Sequence, residues 1–330
     1  MAIKCIDVAM AGHNYRVKLL PKELDTLKKM KYKYIVEVEE IFDDAILHPD
    51  KSRGATSPNA DVSHAAKPHS ADKSNAIPES HSQHAAPADK LHAEKGEKSE
   101  QAAEKMRAHH IWIVMEFCPN DLFSVAEKAA QPFRIPEDKV AIWIRQIGKA
   151  LKFLHDRDVA HRDVKPENVL LRNEQTALLN DFSFVTILKK GTLSETPLCT
   201  PSYSSPEMIQ FLLSPAKPYN PFACDVWGLA CTAYAVTAGD SFIPPSVPDS
   251  DLKGMLHHMP EVGQRIDRSH ITPVFKDLLH QMTKDPASRP TIADVLKHKW
   301  LDVKDKLPSH PDVKKKSLLS KNSLQDNKPQ

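Results

Sequence analysis

The densest run of chemically capable residues is H-R-D-V-K-P-E-N-V-L-L, His161 to Leu171. It sets a carboxylate (Asp163), an amine (Lys165) and an amide (Asn168) on one short stretch. A second acid follows in D-F-S, Asp181 to Ser183. Taken singly, each acid reads as a solvated loop charge. Taken together, the spacing says more. Asp163 and Asn168 share one loop, and Asp181 ends a second apolar stretch, A-L-L-N, that would return as the partner strand of a hairpin. Two carboxylates and an amide would then meet near one point. Oxygen donors of this kind suit Mg²⁺, with phosphate oxygens completing its octahedron.

Positioning such a set needs elements on either side. Apolar residues at Val140, Ile144, Ile147, Leu151 and Leu154 predict a one-faced helix over Glu137–His155. Pro136 stands at its start, where a missing N–H costs little. Leu20, Leu24, Leu27 and Met30 predict a helix over 19–30, and 223–238 and 273–284 are also helical by period. Residues 1–8 and 34–42 alternate like strands, and I-W-I-V-M-E-F-C over 111–118 reads as a buried strand. Between 49 and 108 the large apolar residues are only Val62, Ile77, Leu91 and Met106. Such a segment cannot bury enough surface to offset its ordering entropy, and we expect a disordered insert there. Its histidines (His64, His69, His81, His84, His92) have no ligand spacing and no cysteine beside them, so they read as solvated rather than metal-binding. Residues 303–330 are rich in lysine and serine and read as a loose tail.

Composition narrows the classes. The 330 residues are 41% hydrophobic and 27% charged, enough to build a core and too polar for a membrane protein. No run approaches the ~20 apolar residues of a spanning helix, and no secretory signal follows Met1. The net charge of +2 gives no electrostatic case for nucleic acid or an anionic membrane. Nine glycines argue against a glycine-rich phosphate loop. Five scattered cysteines (Cys5, Cys118, Cys199, Cys224, Cys231) read as reduced thiols of a cytoplasmic or nuclear protein.

With these motifs in place, the chain resembles the eukaryotic serine/threonine protein kinases, whose signature set is H-R-D-L-x-x-x-N, D-F-G, A-P-E and V-A-I-K. Lys165 in K-P-E-N is similar to the serine/threonine class. The text L-L-P-K-E-L and I-V-M-E-F resembles the calmodulin-dependent-kinase-like group and its testis-specific branch. The resemblance implies an α+β, bilobal protein-kinase-like fold with a truncated β-rich N-lobe (1–48 and 109–118) and a mainly helical C-lobe (119–302). It also implies ATP and Mg²⁺ as cofactors and proteins as substrates, with an upstream activating kinase or a chaperone as further partners.

Carried over residue by residue, M-A-I-K gives Lys4 the α/β-phosphates and pairs it with Glu23. Asp163 would orient the substrate hydroxyl and accept its proton. Lys165 would neutralise the transferred phosphoryl group. Asn168 and Asp181 would hold the metals. Ala2 and Leu170 resemble the pair that sandwiches adenine, with Met115 behind it and the backbone at Glu116–Cys118 as its hydrogen-bonding edge. His161, Phe182, Leu27 and Val38 resemble the stacked column of the family. Asp121 reads either as a ribose or substrate contact or as a helix cap. Ser205-Pro206-Glu207 resembles A-P-E, with Glu207 pairing Arg289, and Asp225 in D-V-W-G-L-A resembles the anchor of the catalytic loop. Arg162 marks the type switched by a loop phosphate, with Thr196 as first acceptor candidate and Ser194 second. Thr200 stands where the family contacts the catalytic aspartate.

Three departures qualify the resemblance. The chain begins on the lysine strand, where the family has two earlier strands and a G-x-G-x-x-G loop, so we expect a shortened start. Ser183 replaces the glycine of D-F-G, at a cost of about 1 kcal/mol if its φ is positive. A glycine is also missing before Thr200. Active transferase, pseudokinase scaffold and dependent fragment all remain open on the sequence.

Overall fold

The computed structural model describes residues 1–8, 10–44, 109–129, 135–189 and 191–304. The insert expected at 49–108, and all but the first two residues of the tail expected at 303–330, lie outside them. The chain divides into two compact units. The smaller takes residues 4–11 and 41–113, and the larger takes 1–3, 12–40 and 114–330.

Three strands pair in the order β1 (Ala2–Asp7), β3 (His110–Met115), β2 (Val38–Asp43). Ile111, Ile113 and Met115 are buried while Trp112 is 38% exposed. The expected run of buried residues over 111–118 is therefore one-faced and ends at Met115. Where β2 ends and β3 begins, His109 Nε2 meets Asp43 Oδ1 at 2.8 Å. The His110 N–H donates to Asp44 Oδ1 at 2.7 Å, with the ring Nδ1 at 3.1 Å from Oδ2. That backbone N–H is the main reason the Asp44 carboxyl is held below its ordinary range.

In the larger unit a π-helical turn, Tyr15–Leu19, leads into α1 (Leu20–Lys29). The expected leucine stripe is only half the story. The buried line is Leu20, Glu23 and Thr26, with Glu23 just 1% exposed. A buried carboxylate is costly unless hydrogen-bonded, so this helix carries an acid inward for a reason taken up below. Strand pairing expected from residue 34 starts only at Val38. Tyr34–Val36 instead bond to the end of a later strand, through Leu179 N–H to Tyr34 O at 2.9 Å and Val36 N–H to Leu179 O at 3.0 Å.

The core of this unit is helical. After β4 (Asn120–Asp121) and α2 (Leu122–Lys128) comes α3 (Glu137–His155), with the bounds the periodicity predicts. Its five stripe residues are fully buried, each worth roughly 1.5–3 kcal/mol relative to exposure. Glu137 and Asp138 in its first turn and Lys152 and His155 in its last suit the helix dipole. Then follow β5 (Val159–Ala160), β6 (Val169–Asn173), β7 (Thr176–Leu179), β8 (Thr186–Ile187), α4 (Pro206–Leu213) and α5 (Pro221–Ala238). The chain continues through α6 (Leu252–His258), α7 (Val262–Arg268), α8 (Pro273–Met282) and α9 (Ile292–Val295). Helix α5 is buried almost all round and packs on α3. Asn220 caps its start, and Gly239 at φ 64° ends it in the left-handed conformation glycine permits. The fold is thus mixed, with a small sheet region near the N-terminus and a helical remainder. All five cysteines are free thiols. Among the described residues no helix is long and apolar enough to cross a membrane.

Candidate active site

The hairpin inferred from A-L-L-N exists. β6 and β7 pair antiparallel, Val169 opposite Leu179 and Leu171 opposite Ala177, inside a sheet ordered β4-β6-β7. Asn173 Oδ1 accepts the Gln175 N–H at 2.9 Å and tightens the turn. Helix α3 grips it from behind: buried Gln146 accepts from Ala177 N–H at 2.7 Å and donates to Gln175 O at 2.8 Å. At the open end the Asn180 N–H donates to Asn168 O at 2.9 Å. Asn168 and Asp181 are thereby carried by the two ends of one clamped hairpin.

The loop before the hairpin hangs on Asp225 of α5, which is fully buried. Its Oδ1 accepts the Arg162 N–H at 2.6 Å, and its Oδ2 accepts the His161 N–H at 2.8 Å and meets His155 Nε2 at 2.8 Å. Arg162 is held at φ 67°, which a non-glycine residue adopts only under such constraint. One turn along α5, Gly228 lies against the same loop. A Cβ there would fall 2.9 Å from the Val164 carbonyl oxygen and 3.2 Å from the Val164 Cβ. Gly228→Ala is therefore expected to cost about 1–3 kcal/mol. By displacing the loop next to Asp163 it should also cut turnover about 100-fold. Thermal melts and steady-state rates on the same preparation check this, and a wild-type rate would contradict it.

Asp163 sits at the centre of what the loop presents. Its Oδ1 accepts from Thr200 Oγ1 at 2.6 Å, and its Oδ2 lies 2.7 Å from Asn168 Nδ2 and 2.9 Å from Lys165 Nζ. Lys165 also donates to Thr200 Oγ1 at 2.8 Å. An acid, an amine and two neutral hydrogen-bonding groups thus converge. Asn168 gives its amide N–H groups to the Asp163 carboxylate and carbonyl, so its side-chain oxygen is the atom that would face a metal. With the Asp181 carboxylate, the donor set is all oxygen, which fits Mg²⁺.

The positive φ feared at Ser183 falls elsewhere. Asp181 is the left-handed residue, at φ 59°, and Ser183 is not among the residues with positive φ. The glycine penalty expected for Ser183 accordingly does not arise. Its Oγ donates to Asp181 Oδ1 at 2.6 Å, and its N–H lies 3.3 Å from the same oxygen. His161 donates from Nε2 to Asn180 O at 2.9 Å and stands edge-on to Phe182, 5.2 Å between centroids. Leu27 packs on the same core as Phe182.

Met115 ends β3, buried. The Glu116 N–H goes to Glu37 O at 3.0 Å, and its carboxylate takes Arg172 at 2.6 and 2.8 Å and the Glu37 N–H at 2.8 Å. The Arg172 hydrogen bond holds that carboxyl below its ordinary range against the opposing effect of burial. Phe117 is 63% exposed, and burial raises the Cys118 thiol. Ala2 is half-buried on β1 and Leu170 half-buried on β6. Asp121 is a helix cap, accepting the Ser124 N–H and hydroxyl at 2.7 Å each. Lys4 lies on β1 in the smaller unit, whereas Glu23 belongs to the larger.

Around the following loop, Arg162 donates from Nε to Phe184 O at 2.6 Å and from Nη1 to Tyr219 Oη at 3.1 Å and Thr196 O at 3.3 Å. The Tyr219 hydroxyl donates to the same Thr196 carbonyl at 2.7 Å. Thr196 is half-buried, and Ser194 is only 2% exposed with its backbone bridged to Tyr219. Glu207 meets Arg289 at 2.6 and 3.2 Å. Arg289 also donates to Ala223 O at 2.9 Å and Lys284 O at 3.1 Å.

With the loop, hairpin and anchor described, the comparison with known families is decisive. The Protein kinase domain model matches residues 99–301. The chain belongs to the protein kinase family. The kinase chain is 29% identical over 228 residues to the serine/threonine protein kinase OSK3 of Oryza sativa subsp. indica, covering 66% of this chain and 41% of the rice protein. It is 31% identical over 225 residues to serine/threonine-protein kinase dst1 of Dictyostelium discoideum (66% of this chain, 28% of that protein). It is 32% identical over 195 residues to the maternal embryonic leucine zipper kinase of Danio rerio (58% and 27%). The matched part thus spans well under half the length of these relatives.

Sequence reasoning missed three residues of this kinase site. Gln146 left a signal, a polar residue inside an apolar helical stripe. Tyr15 stands eight positions before Glu23, but it lies on the π-helical turn ahead of α1, outside the apolar period that marks the helix over 19–30. Tyr219 left none, because it reaches Arg162 only through the fold.

Proposed function

We propose that the chain is a serine/threonine protein kinase that moves the γ-phosphoryl group of ATP to protein hydroxyls. The observation that carries this is the Asp163 carboxylate, held simultaneously by Lys165, Thr200 and Asn168. In this reading Asp163 orients the substrate hydroxyl and takes its proton. Lys165, already paired with Asp163, offsets charge developing on the phosphoryl oxygens. Asn168 and Asp181 would hold Mg²⁺, which when bound neutralises charge on the phosphates. Lys4 is assigned the α/β-phosphates, with Glu23 as the acid of its helix. Adenine would bond the Glu116 carbonyl and Cys118, since the Glu116 N–H is engaged by Glu37.

The same proposal takes residues 1–48 and 109–118 as the N-lobe and 119–302 as the C-lobe. It also takes a calmodulin-dependent-kinase-like subgroup, protein substrates, an activating kinase acting on Thr196, and a cytoplasmic or nuclear setting. One observation favours a scaffold without efficient transfer: the Ser183 hydroxyl occupies an Asp181 oxygen at 2.6 Å.

Radiolabelled ATP with a mixed protein substrate separates the two. Asp163→Asn is expected to lower incorporation by about 10²–10⁴-fold. Equal incorporation by the two proteins would remove catalysis from this site.

A further inference from the structure

Arg162 is 6% exposed, and among the described residues no carboxylate pairs with its guanidinium. A buried charge is costly unless it is hydrogen-bonded. Three neutral oxygens do this here: the carbonyls of Phe184 and Thr196 and the hydroxyl of Tyr219.

Around Nη1 the contacts close into a triangle. Nη1 donates to Tyr219 Oη at 3.1 Å and to Thr196 O at 3.3 Å. The Tyr219 hydroxyl gives its own proton to the same Thr196 carbonyl at 2.7 Å, and its lone pair receives the guanidinium N–H. No proton is used twice. The backbone repeats the fastening. The Ser194 N–H donates to Tyr219 O at 2.7 Å, and the Tyr219 N–H donates to Ser194 O at 3.1 Å. Tyr219 is itself immobilised, buried with Met208, Phe211 and Cys224 and edge-on to the Phe211 ring. Burial raises its phenol above the ordinary value, against the opposing charge of Arg162, so it stays a neutral donor. All these residues lie in the larger unit. Only the carbonyl of Thr196 enters the triangle, so the loop is fastened with the Thr196 hydroxyl unmodified.

We propose that Tyr219 is a positioning residue that ties the loop at Ser194 and Thr196 to Arg162, and so holds the adjacent Asp163 for turnover, with no phosphate on the loop. Modification of Thr196 then acts on a loop already fastened. Tyr219 touches no reacting atom. The proposal rests on the reading of Asp163 as the group that orients the substrate hydroxyl.

The test uses the full chain, treated with phosphatase and shown by intact mass to carry no phosphate. Tyr219→Phe should lower kcat about tenfold or more, the equivalent of one hydrogen bond to a charged group. The KM for ATP should stay within about twofold. In an Arg162→Met background the same change should cost nothing further, because the hydroxyl acts through the guanidinium. A full tenfold loss in that background, or no loss in the parent, would overturn the role. Amide exchange gives a reading independent of turnover. In Tyr219→Phe the amides of Arg162 and of Leu198, which bonds Thr196 O, should exchange faster while α3 stays protected. Unchanged exchange at both, or equal loosening of α3, would count against a positioning role. If the phosphate-free parent is inactive and a chain made with phosphothreonine at 196 is active, the claim of phosphate-free fastening fails. If neither form transfers phosphate, the kinase reading fails instead, and the exchange measurement still decides whether Tyr219 holds Arg162.

Discussion

Replacing Arg289 with methionine is expected to destabilise the chain by about 3–5 kcal/mol, the usual cost of removing one partner from a buried ion pair. The guanidinium side chain is 1% exposed and the Glu207 side chain 13%. Arg289 Nη1 and Nη2 hold the two Glu207 oxygens, and Nη1 and Nε also satisfy the carbonyls of Ala223 and Lys284. Its plane lies over Trp227, 5.1 Å from the ring centroid. Methionine keeps some of that apolar contact and removes every donor. Glu207 is left with the weak Cys224 thiol contact at 3.6 Å. The companion variant is Arg289→Met with Glu207→Met. An apolar pair of similar volume should recover much of the loss, because no charge is stranded. Denaturant melts of the three proteins decide the matter. A single variant within about 1 kcal/mol of the parent would show that the pair contributes only what a surface bridge does.

Asp225→Asn should be as damaging, with the injury concentrated in the catalytic loop. The aspartate accepts two backbone N–H groups and meets a histidine ring, all at 2.6–2.8 Å. Asparagine has one acceptor oxygen and turns an NH₂ toward the remaining donors. At least one backbone N–H then loses its partner, at about 1.5–3 kcal/mol for each charged hydrogen bond lost. The backbone bond that holds Arg162 at φ 67° is then weakened, and only its side-chain contacts to Phe184, Tyr219 and Thr196 remain to keep it there. The expected result is an activity loss of about 100-fold or more from misplacement of Asp163, with faster amide exchange at His161 and Arg162. If those two amides stay as protected as in the parent, Asp225 is not the anchor.

What could be read in advance follows from how each residue acts. Asp163, Asn168 and Asp181 stand out because two acids and an amide at short separations are the set a metal–phosphate site would need. The β6–β7 hairpin was implied by the apolar stretch between them. Helix α3 was legible to its ends because its stripe is strong and its length exceeds any strand. Helix α1 was legible in existence but not in face, since hydrophobic period alone cannot announce that Glu23 points inward. The 34–42 segment misled for a related reason: alternation marks extended backbone, and it does not say whether the partner is β3 or, for Tyr34–Val36, the end of β7. Ser183 was judged by the conformation its position has in the family. The structure moves the unusual φ two residues upstream to Asp181, which no local rule signals.

The paired contacts at His109, His110, Asp43 and Asp44 carry one more implication. They fasten the end of β2 to the start of β3 through two acids, two imidazole rings and one backbone N–H. The β1-β3-β2 sheet thus carries its own polar clasp, and the two strands it joins are held in register by described residues alone.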